Sequence, residues 1–317
     1  MAKDPSSSIC GDSPHGIMFH HFHNDEHPQG QGAICADEFR KIIEFTGVKN
    51  ILPAQDWLDR FESGKLRKNH VCLTLDDGLR CQLDIALPVL EEYGLTGFWM
   101  IYSSILLGKI EKLELYRFFR TTFFRNIDLF YEDFFNETRN SDLGKKIEEK
   151  LSCFTPSEYR KEYRFYTDND RTFRYLRDHI LTESEYDLMM EKIMDKKGAD
   201  QNIISKNLWV DRSDLTKLQS QGHLIGLHSH THPTRIDLLS YQKQKAEYEK
   251  NHEVLSSILK SPIRVMSHPC GRYNQSTLKI LEELDISIGF RADNRETSFS
   301  KYELPREDHM HILNAIS

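Results

Sequence analysis

The chain of 317 residues lacks any apolar run approaching the roughly 20 residues that a bilayer crossing requires. Its first residues, MAKDPSSSICGDSPHG, lack the apolar segment of a secretory signal. There is no long basic tract, and Lys+Arg 42 against Asp+Glu 49 leaves a net charge of -7, which argues against nucleic acid as a partner. None of the six cysteines (Cys10, Cys35, Cys72, Cys81, Cys153, Cys270) forms a CxxC pair, and their spacing suggests neither a disulfide framework nor a zinc ribbon. Thiols of a reducing compartment fit best, so a cytoplasmic location is expected.

Histidine is plentiful: the chain has 15. Several follow short apolar runs, as in GIMFHHF (16–22), HLIGLHSHTHP (223–233) and VMSHP (265–269). Residues 1–15 read as a disordered polar lead, and 16–22 as the first strand. A helix capped by Asp56 is expected at 57–63. HVCLTL (70–75) reads as a buried strand ending at Asp76-Asp77-Gly78, followed by an amphipathic helix at 81–93 and a strand at 96–101. The alternation predicts parallel βαβ units. Residues 109–207 interrupt it with a Gly-poor, aromatic and basic stretch of helical periodicity, read as an inserted hairpin or small bundle. Its Phe118, Phe119, Phe123 and Phe124 are expected in a core rather than a ligand site. The alternation then resumes with a helix at 211–221 and strands at 223–227, 263–266, 286–290 and 302–305. The whole of 16–317 is thus read as one catalytic domain carrying an insertion. Polar clusters recur at the C-terminal ends of strands, the face that holds the active site in a parallel α/β barrel.

Two neighbouring carboxylates at a strand end point to opposite faces, so Asp76 and Asp77 can take different roles, although acidic turns are also common. His228 and His232 have the i, i+4 spacing that lets two imidazoles converge on one ion. Two histidines and a carboxylate leave open positions on a metal, which is what activation of a water requires.

LTLDDG, GHLIGLHSHTHP and SHPCGRYN together resemble the first three motifs of the NodB-type polysaccharide deacetylases, carbohydrate esterase family 4. The likeness covers about residues 16–108 and 208–310. It implies a distorted (β/α)7-type barrel, the NodB homology fold, holding one divalent ion. By motif position Asp77, His228 and His232 would be the ligands and Asp76 the general base. The backbone N–H of Cys270 would fall where the family places an oxyanion donor. GIMFHHF resembles the MYH strand of relatives whose motifs are circularly permuted, which places the acid histidine at His20; His21 is expected to point the other way along the strand.

The third motif departs from the common pattern: Ser267-His268-Pro269-Cys270-Gly271 has neither the usual arginine nor the aromatic residues. Arg306 in LPRED is a candidate to supply the arginine. His268, Tyr273 and His21 are the candidate substrate contacts. The activity implied is hydrolysis of an N-acyl group, usually acetyl, from an amino sugar. A cytoplasmic enzyme would take a small or activated sugar of surface-glycan biosynthesis, and the insertion is placed to cover the site. Two imidazoles and a carboxylate suit Zn, Co, Ni or Fe(II), with Zn the default. The alternatives are a non-catalytic sugar-binding module on this fold, a deformylase or other amidohydrolase, and a metal phosphoesterase, which would want a second ion. Oligomeric state and the exact acyl group are not readable.

Overall fold

The computed structural model describes residues 13–161, 166–294 and 300–316. Residues 1–12 of the expected lead lie outside that range. β1 begins at His15, one residue before the expected strand start, and His15 pairs with Val71.

The elements run β1 (His15–Phe19), α1 (Ala36–Thr46), α2 (Ala54–Glu62), β2 (Val71–Asp76), α3 (Leu87–Glu92) and β3 (Phe98–Ile101). Six helices follow: α4 (Lys112–Thr122), α5 (Ile127–Arg139), α6 (Gly144–Leu151), α7 (Asp168–Tyr175), α8 (Glu183–Lys196) and α9 (Gln201–Ser205). Then come α10 (Arg212–Ser220), β4 (Leu224–Leu227), α11 (Tyr241–Leu259), β5 (Val265–Ser267), α12 (Gln275–Glu283), β6 (Ile288–Phe290), β7 (Arg306–Asp308) and α13 (His309–Ile316). The chain divides into two compact units, one reaching Glu111 and resuming at Asn207, the other Lys112–Lys206.

In the first unit all seven strands pair in parallel, in the order β6-β5-β4-β3-β2-β1-β7. Phe290 at the end of β6 also pairs with Leu304, and the chain runs from there into β7 beside β1, so the sheet curls into a nearly closed barrel. This is the (β/α)7 architecture that the motifs imply. The strands are short and buried on both faces, which is why their sequences read as near-continuous apolar runs. Trp57 on α2 packs its indole 5.7 Å from the Phe290 ring and 6.1 Å from Phe98, at the heart of a cluster with Met100, Val265 and Ile288. Each such fully buried side chain contributes about 1.5–3 kcal/mol.

Several boundaries differ from expectation for local reasons. α2 starts three residues early, directly after Pro53, because the Ala54 N–H finds an acceptor in the Thr96 hydroxyl at 2.9 Å. Asp56 therefore sits inside the first turn, where the helix dipole favours it, and is not the cap. The single helix expected over 81–93 is a widened π turn (82–86) followed by α3, with Pro88 in the first turn. Proline has no N–H to give, and a shift in hydrogen-bond register accommodates it. The last strand is 306–308 rather than 302–305, and α13 behind it was not foreseen. The buried His309 ring on α13 faces the carbonyls of Met18 (3.0 Å) and Gly32 (3.1 Å), tying that helix to β1 and the loop after it.

The second unit has a core of aromatic rings. Phe173 lies edge-to-face with Phe130 at 5.3 Å and with Phe134 at 4.9 Å. The Arg120 guanidinium stacks 4.9 Å above Phe173, and the Tyr131 hydroxyl donates to Asp170. Phe119 and Phe124 join this core, Phe118 is half-buried, and Phe123 is exposed.

Candidate metal centre

β2 delivers the two carboxylates. Asp76 is its last residue and is buried; Asp77 follows in a left-handed conformation at φ 78°. Gly78, at φ 61°, completes the turn, and a Cβ there would come within 2.9 Å of Ile101 Cδ1. The turn, not strand alternation, therefore separates the two carboxylates. Ser229 and His232 after β4 and Cys270 after β5 are also left-handed, so four of the seven described non-glycine residues with positive φ lie in the loops at this end of the sheet. Such conformations cost on the order of 1–3 kcal/mol each and persist only where the surroundings enforce them.

Asp77 Oδ1 lies 3.4 Å from His228 Nε2 and 3.4 Å from His232 Nε2, and the two imidazole centroids are 5.0 Å apart. The three donor atoms lie within 4.8 Å of one another. His228 Nδ1 is 3.0 Å from the Ser267 carbonyl, so that nitrogen carries a proton and Nε2 is the atom turned to Asp77. Burial would lower the His228 pKa, but Asp76 and Asp77 outweigh it and raise it. Asp77 Oδ1 and His232 Nδ1 are buried without a hydrogen-bond partner. Two imidazole nitrogens and a carboxylate oxygen converging within 4.8 Å fit a three-ligand divalent site with open positions. Burial would raise the Asp77 carboxyl, but the neighbouring imidazoles, His232 first and then His228 and His20, outweigh it and hold the group far below its ordinary range. Burial pushes His232 down to about 4, which favours the unprotonated ring that a metal needs.

Asp76 is held apart from this set. Burial would raise it, and the Arg306 guanidinium 2.8 Å from Oδ1, helped by His228 and His20, brings it below the usual carboxylate value. The buried Arg306 also donates to Thr74 Oγ1 (3.2 Å) and to the Arg291 carbonyl (2.7 Å). The Ser267 hydroxyl donates to Asp76 Oδ1 at 3.1 Å, and its oxygen lies 2.8 Å from His228 Nδ1. Asp76 Oδ2 faces His20 Nε2 at 3.9 Å, and the His20 side chain is about one-third exposed.

His21 departs from expectation: β1 ends at Phe19, alternation no longer applies, and the His21 ring stacks beside His20 at 6.2 Å and 17°. His268 is closed off from solvent, with Nε2 on the Tyr302 carbonyl (2.8 Å) and its ring stacked 4.1 Å from that of the half-buried Tyr273. Cys270, exposed, heads the tight turn after Pro269 at φ 51°.

Three supporting residues, and the linking role of Ser267 in the third motif, went unread in the sequence. Asn251 on α11 accepts from the His228 N–H (2.9 Å) and donates to the Ile101 carbonyl (3.0 Å). Glu247, one turn earlier, accepts from the N–H groups of His230 and Thr231. Gln82 donates to the carbonyls of Asp76 (2.6 Å) and His20 (2.8 Å), and Ser267 links Asp76 to His228. Their only sequence signal is being polar on faces that the apolar pattern assigns to the interior.

A family model described as polysaccharide deacetylase matches residues 189–289. That stretch holds His228, His232 and the Ser267–Gly271 turn; Asp76, Asp77, His20 and Arg306 lie outside it and reach the site through the fold. No curated protein matches the chain. Among solved structures, the fold is similar to the Streptococcus pyogenes deacetylase PplD in complex with acetate (TM-score 0.56, 13% identity, 96% of this chain and 98% of that one). It is similar also to IcaB from Ammonifex degensii (0.55, 12%, 97% and 98%) and to the BpsB deacetylase domain from Bordetella bronchiseptica (0.51, 11%, 93% and 94%). The likeness to the polysaccharide deacetylases thus runs through sequence over 189–289 and through the NodB-type fold over nearly the whole chain.

Proposed function

We propose that the protein is a metal-dependent hydrolase that removes an N-acyl group, acetyl in the first instance, from an amino sugar. The observation that carries this reading is the division of labour between the adjacent acids: Asp77 faces two imidazoles, while Asp76 is fixed by Arg306 and Ser267 with one oxygen turned to His20. Asp77, His228 and His232 would hold the ion. When bound, a divalent ion supplies Lewis acidity that polarises a water and the acyl carbonyl.

The chain's own groups supply the proton traffic. Asp76 Oδ1 already accepts from Arg306 and Ser267, so Oδ2 is the atom that takes the proton from water. His20, more exposed and 3.9 Å from Asp76 Oδ2, gives a proton to the departing nitrogen, so that amide and water become a carboxylic acid and an amine. The Cys270 turn follows the site's β5, where a backbone N–H would steady the developing oxyanion. Tyr273 lies against His268 as a flat surface for a sugar ring. We further propose a cytoplasmic location, on the cysteine usage, and with it a small or nucleotide-activated sugar as substrate. The structure of the Streptococcus pyogenes relative holds acetate, the acid that such a reaction releases.

The test is a panel of N-acylated nucleotide sugars and short amino-sugar oligomers, with metal content measured on the same sample. Release of acid and amine in equal amounts, abolished by a chelator and restored by zinc, is the expected result. Sugar binding by metal-loaded protein with no acid released from any member would instead favour the non-catalytic module.

A further inference from the structure

Outside the site just described, His23, Cys35 and Glu38 bring an imidazole, a thiol and a carboxylate within 4.8 Å of one another. We propose that they form a second metal site, selective for a zinc-class ion and independent of the deacetylase reading. The backbone sets the spacing. Phe22 and Ile34 form a parallel bridge, with the His23 N–H on the Ile34 carbonyl (3.0 Å) and the Ile34 N–H on the His21 carbonyl (3.2 Å). His23 and Cys35 are therefore the next residues out on either side of that bridge. Cys35 is the cap residue just before α1, and Glu38 lies in its first turn; the Cys35 N–H donates to Glu38 Oε2 at 2.8 Å. His23 Nε2 is 3.9 Å from the same oxygen. The His23 and Glu38 side chains are 18% and 35% exposed, open enough to admit an ion and a water as fourth ligand.

The donors suit the ion. Tetrahedral zinc with bonds of about 2.0–2.3 Å holds its ligand atoms about 3.3–3.8 Å apart, so these three have to close by at most about an ångström, a side-chain adjustment. A thiolate selects zinc, cobalt or a similar borderline metal over Mg or Ca. Thiolate and carboxylate balance the two positive charges, and the thiol proton leaves to solvent on binding. An ion here would close the loop 24–33 and pin the chain three residues beyond His20, so its structural effect falls on the strand end that carries the proposed proton donor.

The experiment uses the full chain, stripped with a chelator and reloaded with Co(II), in wild type, Cys35→Ser and His228→Ala. Two ions per chain and a near-ultraviolet sulfur-to-cobalt absorption band are expected in wild type. Cys35→Ser should drop to one ion and lose the band, whereas His228→Ala should weaken the other site and keep the band. Alkylation of wild type, mapped by peptide mass, adds a readout that needs no variant: bound metal should shield Cys35. A wild type with one ion and no band, a band that survives Cys35→Ser, or a Cys35 that alkylates equally fast with and without metal overturns the site.

Discussion

Histidines stand at both ends of the strands, and only one end gathers some of them around carboxylates. At the start of the sheet His223 precedes β4 with its Nδ1 accepting from the Gly97 N–H (3.0 Å) and from the Trp99 indole N–H (3.1 Å). His70 precedes β2 with Nδ1 accepting from the Arg67 N–H (3.0 Å), and His15 opens β1 beside the Ser13 carbonyl (2.9 Å). These rings are buried acceptors or local ties, and none is grouped with a carboxylate to form a metal cluster among the described residues. At the other end His228 and His232 turn Nε2 toward Asp77, and His20 faces Asp76. The composition is the same, and strand polarity decides the chemistry. In a parallel sheet the loops after the strands can distort into left-handed turns, and those turns aim the side chains inward.

The sharpest way to break the comparison is to remove the proton acceptor without touching the ion set. Asp76→Asn keeps the shape and the Arg306 contact but loses the base, so turnover should fall by ~10²–10⁴-fold. Metal content should stay at the wild-type level, because Asp77, His228 and His232 are unchanged. His20→Ala should lower turnover within the same range, also with metal retained. Loss of metal in Asp76→Asn would show that the two carboxylates share one task, and the division drawn between them would be wrong.

A smaller effect is expected one layer further out. Ser267→Ala removes the hydroxyl that joins Asp76 Oδ1 to His228 Nδ1 but leaves the Ser267 carbonyl on the imidazole. Metal affinity or turnover should drop ~10–100-fold, the usual cost of a lost outer partner. Wild-type affinity and rate in this variant would mean that the carbonyl and Asn251 alone orient the ring. This layer also marks how far the sequence could be read. Asp76 and His228 were legible because each follows a short apolar run, His232 by its i, i+4 spacing from His228, and Asp77 by its place in the motif that LTLDDG resembles; the α/β class was legible from the strand–helix rhythm. Ser267 and Asn251 were not, because their partners lie 191 and 150 residues away in the chain, and only barrel closure brings them together. Arg306 was legible as a candidate, but not its burial against Asp76. The π turn at 82–86 was missed because periodicity registers an apolar face and not the hydrogen-bond register that puts Gln82 under two strand ends.

The smallest effect on activity, and the cleanest test of the other end, comes from His223. Burial pushes its pKa down to about 4 from an ordinary 6.5. The folded protein therefore holds the neutral ring, whose Nδ1 lone pair receives two N–H groups, while the unfolded chain takes up a proton once the pH falls below about 6.5. Between those values the unfolded state binds more protons, so stability falls as the pH drops, by on the order of 3 kcal/mol across the window for this group. Above 6.5 the contribution is fully present. His223→Gln keeps an acceptor oxygen but cannot titrate, so its stability between pH 6.5 and 4, read from urea unfolding, should decline less steeply than that of wild type. Its turnover near neutral pH should match wild type, because the ring lies at the strand starts and touches none of the groups that face Asp76 or Asp77. An unchanged acid slope in His223→Gln would move the acid sensitivity to the buried rings at the opposite end, where His232 and His268 are also held near 4. The functional end of the sheet would then set its acid stability as well, and the division between the two ends would hold for chemistry alone.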